Sequence, residues 1–243
     1  MSRFYIPHES IRGRMIVVSG EEAHHIIDVM RLKPNDRVVT FDATGKEYIG
    51  VIKEVAKKSL VIDITEEKEV AAKSGAKITL IQAVPKKNKM DYIVEKATEL
   101  GVSGIMPVFT ERTIPKWDKR KMAFQAERWR KIAREASKQC GRADIPKVEE
   151  MTYFTAITGN FSGCDQALVA ALSDKAVPMK AALKGPRPHN VAVAIGPEGD
   201  FTDEEIEAAV SAGFKVINLG PRVLKSDTAG LAALAVLNYE YAD

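Results

Sequence analysis

An apolar run, VAVAIG, ends at Gly196; one helical segment follows, and a second apolar run, FKVINLG, ends at Gly220. A short, continuously apolar run closed by glycine reads as a strand buried on both faces. Two such strands joined through a helix are expected to lie parallel and side by side. The loops that leave them are IGPEGDF (Ile195–Phe201) and LGPRVLKSDTAG (Leu219–Gly230). They are expected to meet at one edge of the sheet, where open α/β folds form their ligand crevice.

The same alternation extends upstream. ITLIQAV precedes KMDYIVEKATELG, GIMPVF precedes a long helix near Asp118–Gln139, and ALVAAL precedes AVPMKAALKG, while SDTAGLAALAVLNYEYA closes the series. This predicts a parallel sheet with helices on both faces. Gly101 reads as a helix stop, and Thr202 with Glu205 has capping-box spacing. Before this region, MIVV, RVVTFD, YIGVIKEV and SLVIDITEE are short Val- and Ile-rich runs separated by turn residues, the pattern of a small antiparallel barrel. One helix interrupts it, with Ser19 and Glu22 spaced as a capping box and Ala23, Ile26, Ile27 and Met30 on one face. The polar stretch KEVAAKSG divides the two rhythms, giving expected domains 1–72 and 73–243.

Several chemistries find no support. Cys140 and Cys164 are too few for a disulfide framework or a zinc site, and adjacent His24 and His25 point about 100° apart on a helix, so no metal is expected. No signal-peptide core and no apolar run of membrane-spanning length is present, so the reading is a soluble cytoplasmic protein with no membrane partner. The loop after Ile195 is not G-x-G-x-x-G and the chain has no Walker A lysine, which argues against a nucleotide-dependent oxidoreductase.

A formal charge of +3 is too weak to imply nucleic acid, but its distribution is uneven. Ten Lys or Arg stand against three acids between Lys116 and Arg142. On the long helix, Met122, Ala126, Trp129, Ile132, Ala133 and Ala136 share one side and Arg120, Lys131, Arg134 and Lys138 the other. A solvated face and a phosphate-tracking face both fit that pattern. Lys86, Lys89, Arg112 and Arg142, with Arg3, His24 and Arg31 nearer the N-terminus, extend the second reading. In the two loops, Gly196 and Gly199 bracket Pro197-Glu198, a stiff turn whose bare backbone suits a flat group such as adenine. Gly220, Val223, Leu224 and the helix start at Asp227-Thr228 add apolar surface and free N–H groups.

GPEGDF followed by LGPRVLKSDTAG, with KATELGV, PVFTER, KQCGR and HHIIDVMR, resembles the bacterial 16S ribosomal RNA uracil-N3 methyltransferases of the SPOUT superfamily, over essentially the whole chain. The resemblance implies an α/β protein: a PUA-like β-barrel that binds RNA, plus a SPOUT domain with a parallel sheet and a deep trefoil knot. It implies S-adenosylmethionine as cofactor, 16S rRNA of the small ribosomal subunit as partner, and a homodimer. Under it, Arg222 is expected to stabilise charge growing on the base, and Glu198 to accept the proton or orient the group that does. Leu172, Ser173, Ile195, Gly196, Pro197, Gly199, Leu219, Gly220, Val223, Leu224, Thr228 and Ala229 are expected to hold the cofactor. Arg3, His24, Arg31, Lys86, Lys89, Arg112, Arg134, Lys138 and Arg142 are expected to face RNA. The usual GPEGG reads GPEGD here and the usual RILRxETA reads RVLKSDTA; Asp200 is expected to favour a helix N-terminus, and Lys225 keeps the charge. A methyltransferase acting on another RNA or on a ribose hydroxyl, and a non-catalytic RNA-binding assembly factor, are the competing readings.

Overall fold

The Val- and Ile-rich runs near the start of the chain pair into one six-stranded sheet in the computed structural model, which describes residues 3–70, 75–159 and 162–241. The strands are β1 (Arg3–Tyr5), β2 (Ile11–Arg12), β3 (Met15–Ser19), β4 (Arg37–Phe41), β5 (Lys46–Val55) and β6 (Ser59–Glu69), in the order β1-β4-β5-β6-β3-β2. Alternate residues point inward, among them Phe4, Ile16, Val18, Val38, Tyr48, Ile52, Leu60 and Ile62, and form the core of this unit. The sheet curls where the β5–β6 register shifts at Gly50, whose missing side chain lets the strands close up: a Cβ there would come within 2.7 Å of the Asp63 carbonyl. Unlike the expected antiparallel barrel, β1 pairs parallel with β4, and β1 and β2 are its two open edges among the described residues.

The helix after β3, α1 (Gly20–His24), starts at Ser19, but no side-chain cap bond forms there. Glu22 turns instead to Lys138, 2.9 Å away. A π-helical turn, His25–Val29, continues α1, and Met30 at its end is exposed, not buried as expected, because the chain reverses at Arg31 with φ +56°. The chain divides into two compact units, residues 1–72 with 137–145 and residues 73–136 with 146–243. The expected boundary at 72/73 lies outside the described residues. Residues 137–145, expected in the second domain, join the first because the Arg142 carbonyl accepts a 2.6 Å bond from Arg3 and Asp144 bridges to Ala43 and Thr44.

The second unit is a parallel sheet. Its strands are β7 (Lys77–Ala83), β8 (Gly104–Phe109), β9 (Lys147–Val148), β10 (Thr152–Tyr153), β11 (Gln166–Ala170), β12 (Val177–Pro178), β13 (Asn190–Ile195) and β14 (Lys215–Asn218). They are ordered β10-β8-β7-β13-β11-β14-β12, with β9 also on β8. The helices are α2 (Lys89–Glu99), α3 (Lys119–Cys140, of which residues 137–140 belong to the first unit), α4 (Phe154–Gly159), α5 (Met179–Ala182), α6 (Asp203–Ser211) and α7 (Ser226–Tyr241). On one face Phe154 and Ile157 of α4 and Ile206 and Ala209 of α6 pack on Ile81, Ala83, Val169 and Ala194; on the other, α7 packs on β7, β13 and α2. The Thr202/Glu205 capping box forms as expected. AVPMKAALKG, expected as a helix, gives only β12 and the single turn α5, confined between Pro178 and Gly185-Pro186. No helix among the described residues is long and apolar enough to cross a membrane.

One buried carboxylate organises the first unit. Asp42 accepts from the Thr44 N–H at 3.0 Å, the Thr44 hydroxyl at 2.6 Å and the Tyr48 hydroxyl at 3.1 Å, and lies 2.7 Å from His8 Nδ1. Burial pushes its carboxyl up, but these hydrogen bonds outweigh burial and hold it below the ordinary 3.8. The depressed value means the carboxylate contributes stability above 3.8 that is lost as the pH falls through its lower folded value. Asp42→Asn is therefore expected to cost about 2–3 kcal/mol at neutral pH and to flatten the loss of stability below pH 4, measured by urea unfolding from neutral to acid pH.

Candidate functional site

The end of β13 and the end of β14, expected to be neighbours, are separated by β11. The turn after β11 (Ala170–Leu172) therefore lies between the two glycine-started loops. Together these segments enclose a pocket of about 250 Å³ lined by Ala170, Ala171, Leu172, Ile195, Gly196, Pro197, Glu198, Asp200, Leu219, Gly220, Arg222, Val223, Leu224, Lys225 and Ala229, among others. A second cleft lined by Ser173, Asp174, Pro178 and Pro221 shares Ala171, Leu172, Asn218 and Gly220 with it.

A buried hydrogen-bond relay fixes the pocket from below. Gln82, a polar residue in the otherwise apolar β7, donates through Nε2 to Ser226 Oγ at 2.9 Å, and the Ser226 hydroxyl donates to the Gly196 carbonyl at 2.6 Å. Gln82 and Ser226 are both buried. Gly230 in α7 lets that helix sit directly on the relay, since a Cβ there would lie 2.8 Å from Gln82 Oε1.

The loop after β13 is stapled along its length. Asp200 occupies the left-handed region, φ +61°, where the resembled family usually has glycine. Its carboxylate accepts from the Leu172 N–H at 2.7 Å and the Phe201 N–H at 2.8 Å, two bonds that offset the conformational cost. This corrects its expected role: Asp200 precedes the Thr202 cap and ties the loop to the β11 turn instead of serving a helix N-terminus. Arg112 Nη1 donates to the carbonyls of Gly199 at 2.9 Å and Phe201 at 3.1 Å. Both Glu198 oxygens accept from the Lys86 N–H, at 3.1 and 3.3 Å, and Lys89 Nζ lies 3.2 Å from Asp227 and 3.9 Å from Glu198.

Of the residues expected to hold a cofactor, Leu172, Ile195, Gly196, Pro197, Leu219, Gly220, Val223, Leu224 and Ala229 line the pocket. Ser173 lines the adjoining cleft, whereas Gly199 and Thr228 are exposed and outside both linings. Leu172 (66% exposed) and Val223 (72% exposed) hold bare apolar side chains at the pocket, next to loop backbone with free polar edges. That donor set fits a flat, partly apolar group recognised through main-chain N–H and C=O. Arg222 lines the same pocket and makes no ion pair among the described residues. Gln82, Ser226 and Asp200 are site residues that sequence reasoning misses; the one readable signal is a glutamine inside an otherwise apolar run.

The cations expected to face RNA separate into two groups. Arg3 pairs with Glu47 and lies 4.7 Å over the Phe41 ring, Lys138 is buried against Glu22, and Arg142 pairs with Asp144 at 2.6 Å, so these three are internal ties of the first unit. His24 lies 2.6 Å from Asp28 on the exposed side of α1, and Arg31 is exposed at the turn that follows. In the second unit Arg112 and Lys89 hold loops, Arg134 is half-buried with partners of its own, and Lys86 is exposed.

Comparison with known proteins adds independent findings. Residues 72–238 match the RNA methyltransferase domain family and residues 18–65 the RNA methyltransferase PUA domain family. The chain is 30% identical to the ribosomal RNA small subunit methyltransferase E of Bacillus subtilis, across 92% of this chain and 89% of that protein. It is 29% identical to the protein of that name from Synechocystis, across 97% and 77%. Among solved structures, a methyltransferase of Legionella pneumophila with bound SAM superposes with a TM-score of 0.89 at 34% identity, covering 99% of this chain and 98% of that one. The ribosomal RNA small subunit methyltransferase E of Neisseria gonorrhoeae, bound to S-adenosyl methionine, gives 0.89 at 29% identity, covering 100% and 99%.

Removing the middle of the relay tests its structural weight. Ser226→Ala leaves the Gly196 carbonyl and Gln82 Nε2 without their shared partner, and is expected to lower unfolding free energy by about 1–3 kcal/mol. Ser226→Thr, which retains the hydroxyl, is expected to recover most of that loss, both read by denaturant unfolding.

Proposed function

Because the chain belongs to the ribosomal RNA small subunit methyltransferase E family, we propose that it transfers a methyl group from S-adenosylmethionine to N3 of a uridine in 16S ribosomal RNA. The observation that carries this reading is the stapled pocket at the ends of β11, β13 and β14. Backbone at Ile195–Pro197 and Leu219–Leu224 would hold the cofactor, with Leu172 and Val223 supplying apolar surface to it. Once bound, S-adenosylmethionine supplies a methyl group activated by its sulfonium.

The protein's own contribution is positioning and charge. N3 gives its proton to solvent water and takes the methyl, leaving S-adenosylhomocysteine; the negative charge that spreads over the base as the proton leaves is stabilised by Arg222, a guanidinium at the pocket with no ion pair among the described residues. Glu198 is held by the Lys86 N–H through both oxygens and approached by Lys89, which supports neither of the two catalytic roles expected of it: its part is to hold the 196–201 loop, and it is not the proton acceptor. The PUA-like unit and the exposed cations supply the hold on rRNA. The apolar, exposed Val236 and Tyr239 on α7 support a homodimer joined through that helix. The chain around α7 forms the trefoil knot, and the enzyme works in the cytoplasm, where small subunits are assembled.

Methylation of small ribosomal subunits with labelled S-adenosylmethionine, followed by nucleoside mass spectrometry, is expected to yield 3-methyluridine. A 2′-O-methylated nucleoside or a methylated base of another kind would replace this reading with another methyltransferase activity. In single-turnover assays Arg222→Ala is expected to lose about 10²–10³-fold in rate. Glu198→Gln, which keeps an acceptor for Lys86, stays within about threefold of the parent; a loss of about 10²-fold or more would restore Glu198 as the proton acceptor.

A further inference from the structure

The segment that follows Arg112 carries a feature the methyl-transfer pocket does not use. Arg112 is bonded to the loop after β13, and the next residues are pinned as well: Thr113 Oγ1 accepts from the Thr110 N–H at 2.9 Å, and the Glu111 N–H donates to Glu205 at 2.9 Å. From this anchor the chain runs into the start of α3 with Lys116, Lys119, Arg120 and Lys121 against one acid, Asp118, which accepts from the Lys121 N–H at 2.7 Å. Lys116, Lys119 and Arg120 are exposed and form no ion pair among the described residues.

Aromatic rings interleave with these cations. Tyr153, on the edge strand β10, is 62% exposed, and its ring is held 5.9 Å from Phe109, which also contacts Trp117 at 5.9 Å. Phe124 is 61% exposed on α3, one turn after Arg120, with Lys121 5.6 Å over its ring. Large apolar rings held open to solvent beside unpaired cations match the needs of an unpaired RNA strand: phosphates meet lysine and arginine while bases stack on rings. A duplex keeps its bases stacked and would leave these rings unused.

We propose that the 114–124 segment together with Tyr153 is a stacking and phosphate-binding surface for a single-stranded stretch of the RNA substrate, leading it toward the 196–201 loop that Arg112 grips. The proposal rests on the rRNA methyltransferase reading above. It keeps Lys116 and Arg120 of the basic stretch 116–142 as phosphate contacts and leaves out Lys138 and Arg142, which are internally paired.

The test uses the full chain, a labelled single-stranded oligoribonucleotide of about 12 nucleotides, and small ribosomal subunits. Tyr153→Ala/Phe124→Ala is expected to bind the oligonucleotide about tenfold more weakly and to raise KM for subunits, with kcat and calorimetric affinity for S-adenosylmethionine unchanged. Lys116→Ala/Arg120→Ala is expected to reduce the slope of log affinity against log salt by about 1.4, from two fewer phosphate contacts. Thermal melts of both variants check that the fold is intact. Variants that match a parent active on subunits would overturn the surface alone, as would equal competition by blunt duplex RNA. A parent that binds S-adenosylmethionine but leaves subunits unmethylated would overturn the functional reading and this surface with it.

Discussion

The pocket depends on one buried serine hydroxyl. Ser226 accepts from Gln82 and donates to the Gly196 carbonyl, so one oxygen ties β7, the start of α7 and the end of β13. These residues are far apart in sequence but converge at the C-terminal edge of the sheet, as parallel topology requires of strand ends. A neutral hydrogen bond contributes only about 0.5–1.5 kcal/mol net, but a buried group left unpaired costs about 1–3 kcal/mol. The relay therefore acts mainly by penalising other arrangements. A Gly196 carbonyl turned toward the pocket would strand Ser226, and a shifted α7 would leave Gln82 Nε2 with only its bond to the Ala83 carbonyl. The pocket's backbone is held in place before any ligand arrives, which lowers the ordering cost of binding.

Charge is distributed to the same end. Asp200 joins the 196–201 loop to the turn after β11, Arg112 grips the loop from β8, and Glu198 with Lys89 closes its other flank. Each is a charged group hydrogen-bonded to backbone or to an opposite charge, so the loop is fixed without an apolar plug that would fill the pocket. Arg222 is the exception: it lines the pocket and pairs with nothing among the described residues. A cation kept without an internal partner beside a preorganised backbone can interact with charge that develops during a reaction.

The alternation of apolar runs and amphipathic segments made the parallel sheet and the position of the two loops legible, because burial on both faces demands continuous apolar strands. Sheet order was not legible. β11 intervenes between β13 and β14, and nothing local in ALVAAL records which strands it will pair with. The pocket residues on the two loops followed from glycine placement, whereas Asp200 was misread because its role depends on Leu172, 28 residues away. Lys138 reads as a nucleic-acid contact by charge and helical phase, and its partner Glu22 is brought to it only when the chain folds; Arg142 reads so by charge alone, although its partner Asp144 stands two residues away. Composition shows where charges are many; only packing shows which of them are unpaired.

Hydrogen exchange on the full chain with and without S-adenosylmethionine tests the pocket most directly. Added protection is expected at the amides of Ile195–Phe201, Leu219–Leu224 and the turn at Ala171–Leu172, with the six-stranded sheet of the first unit unchanged. Protection elsewhere, or none in these three segments at saturating cofactor, would contradict the assignment of this pocket as the cofactor half of a methyl-transfer site.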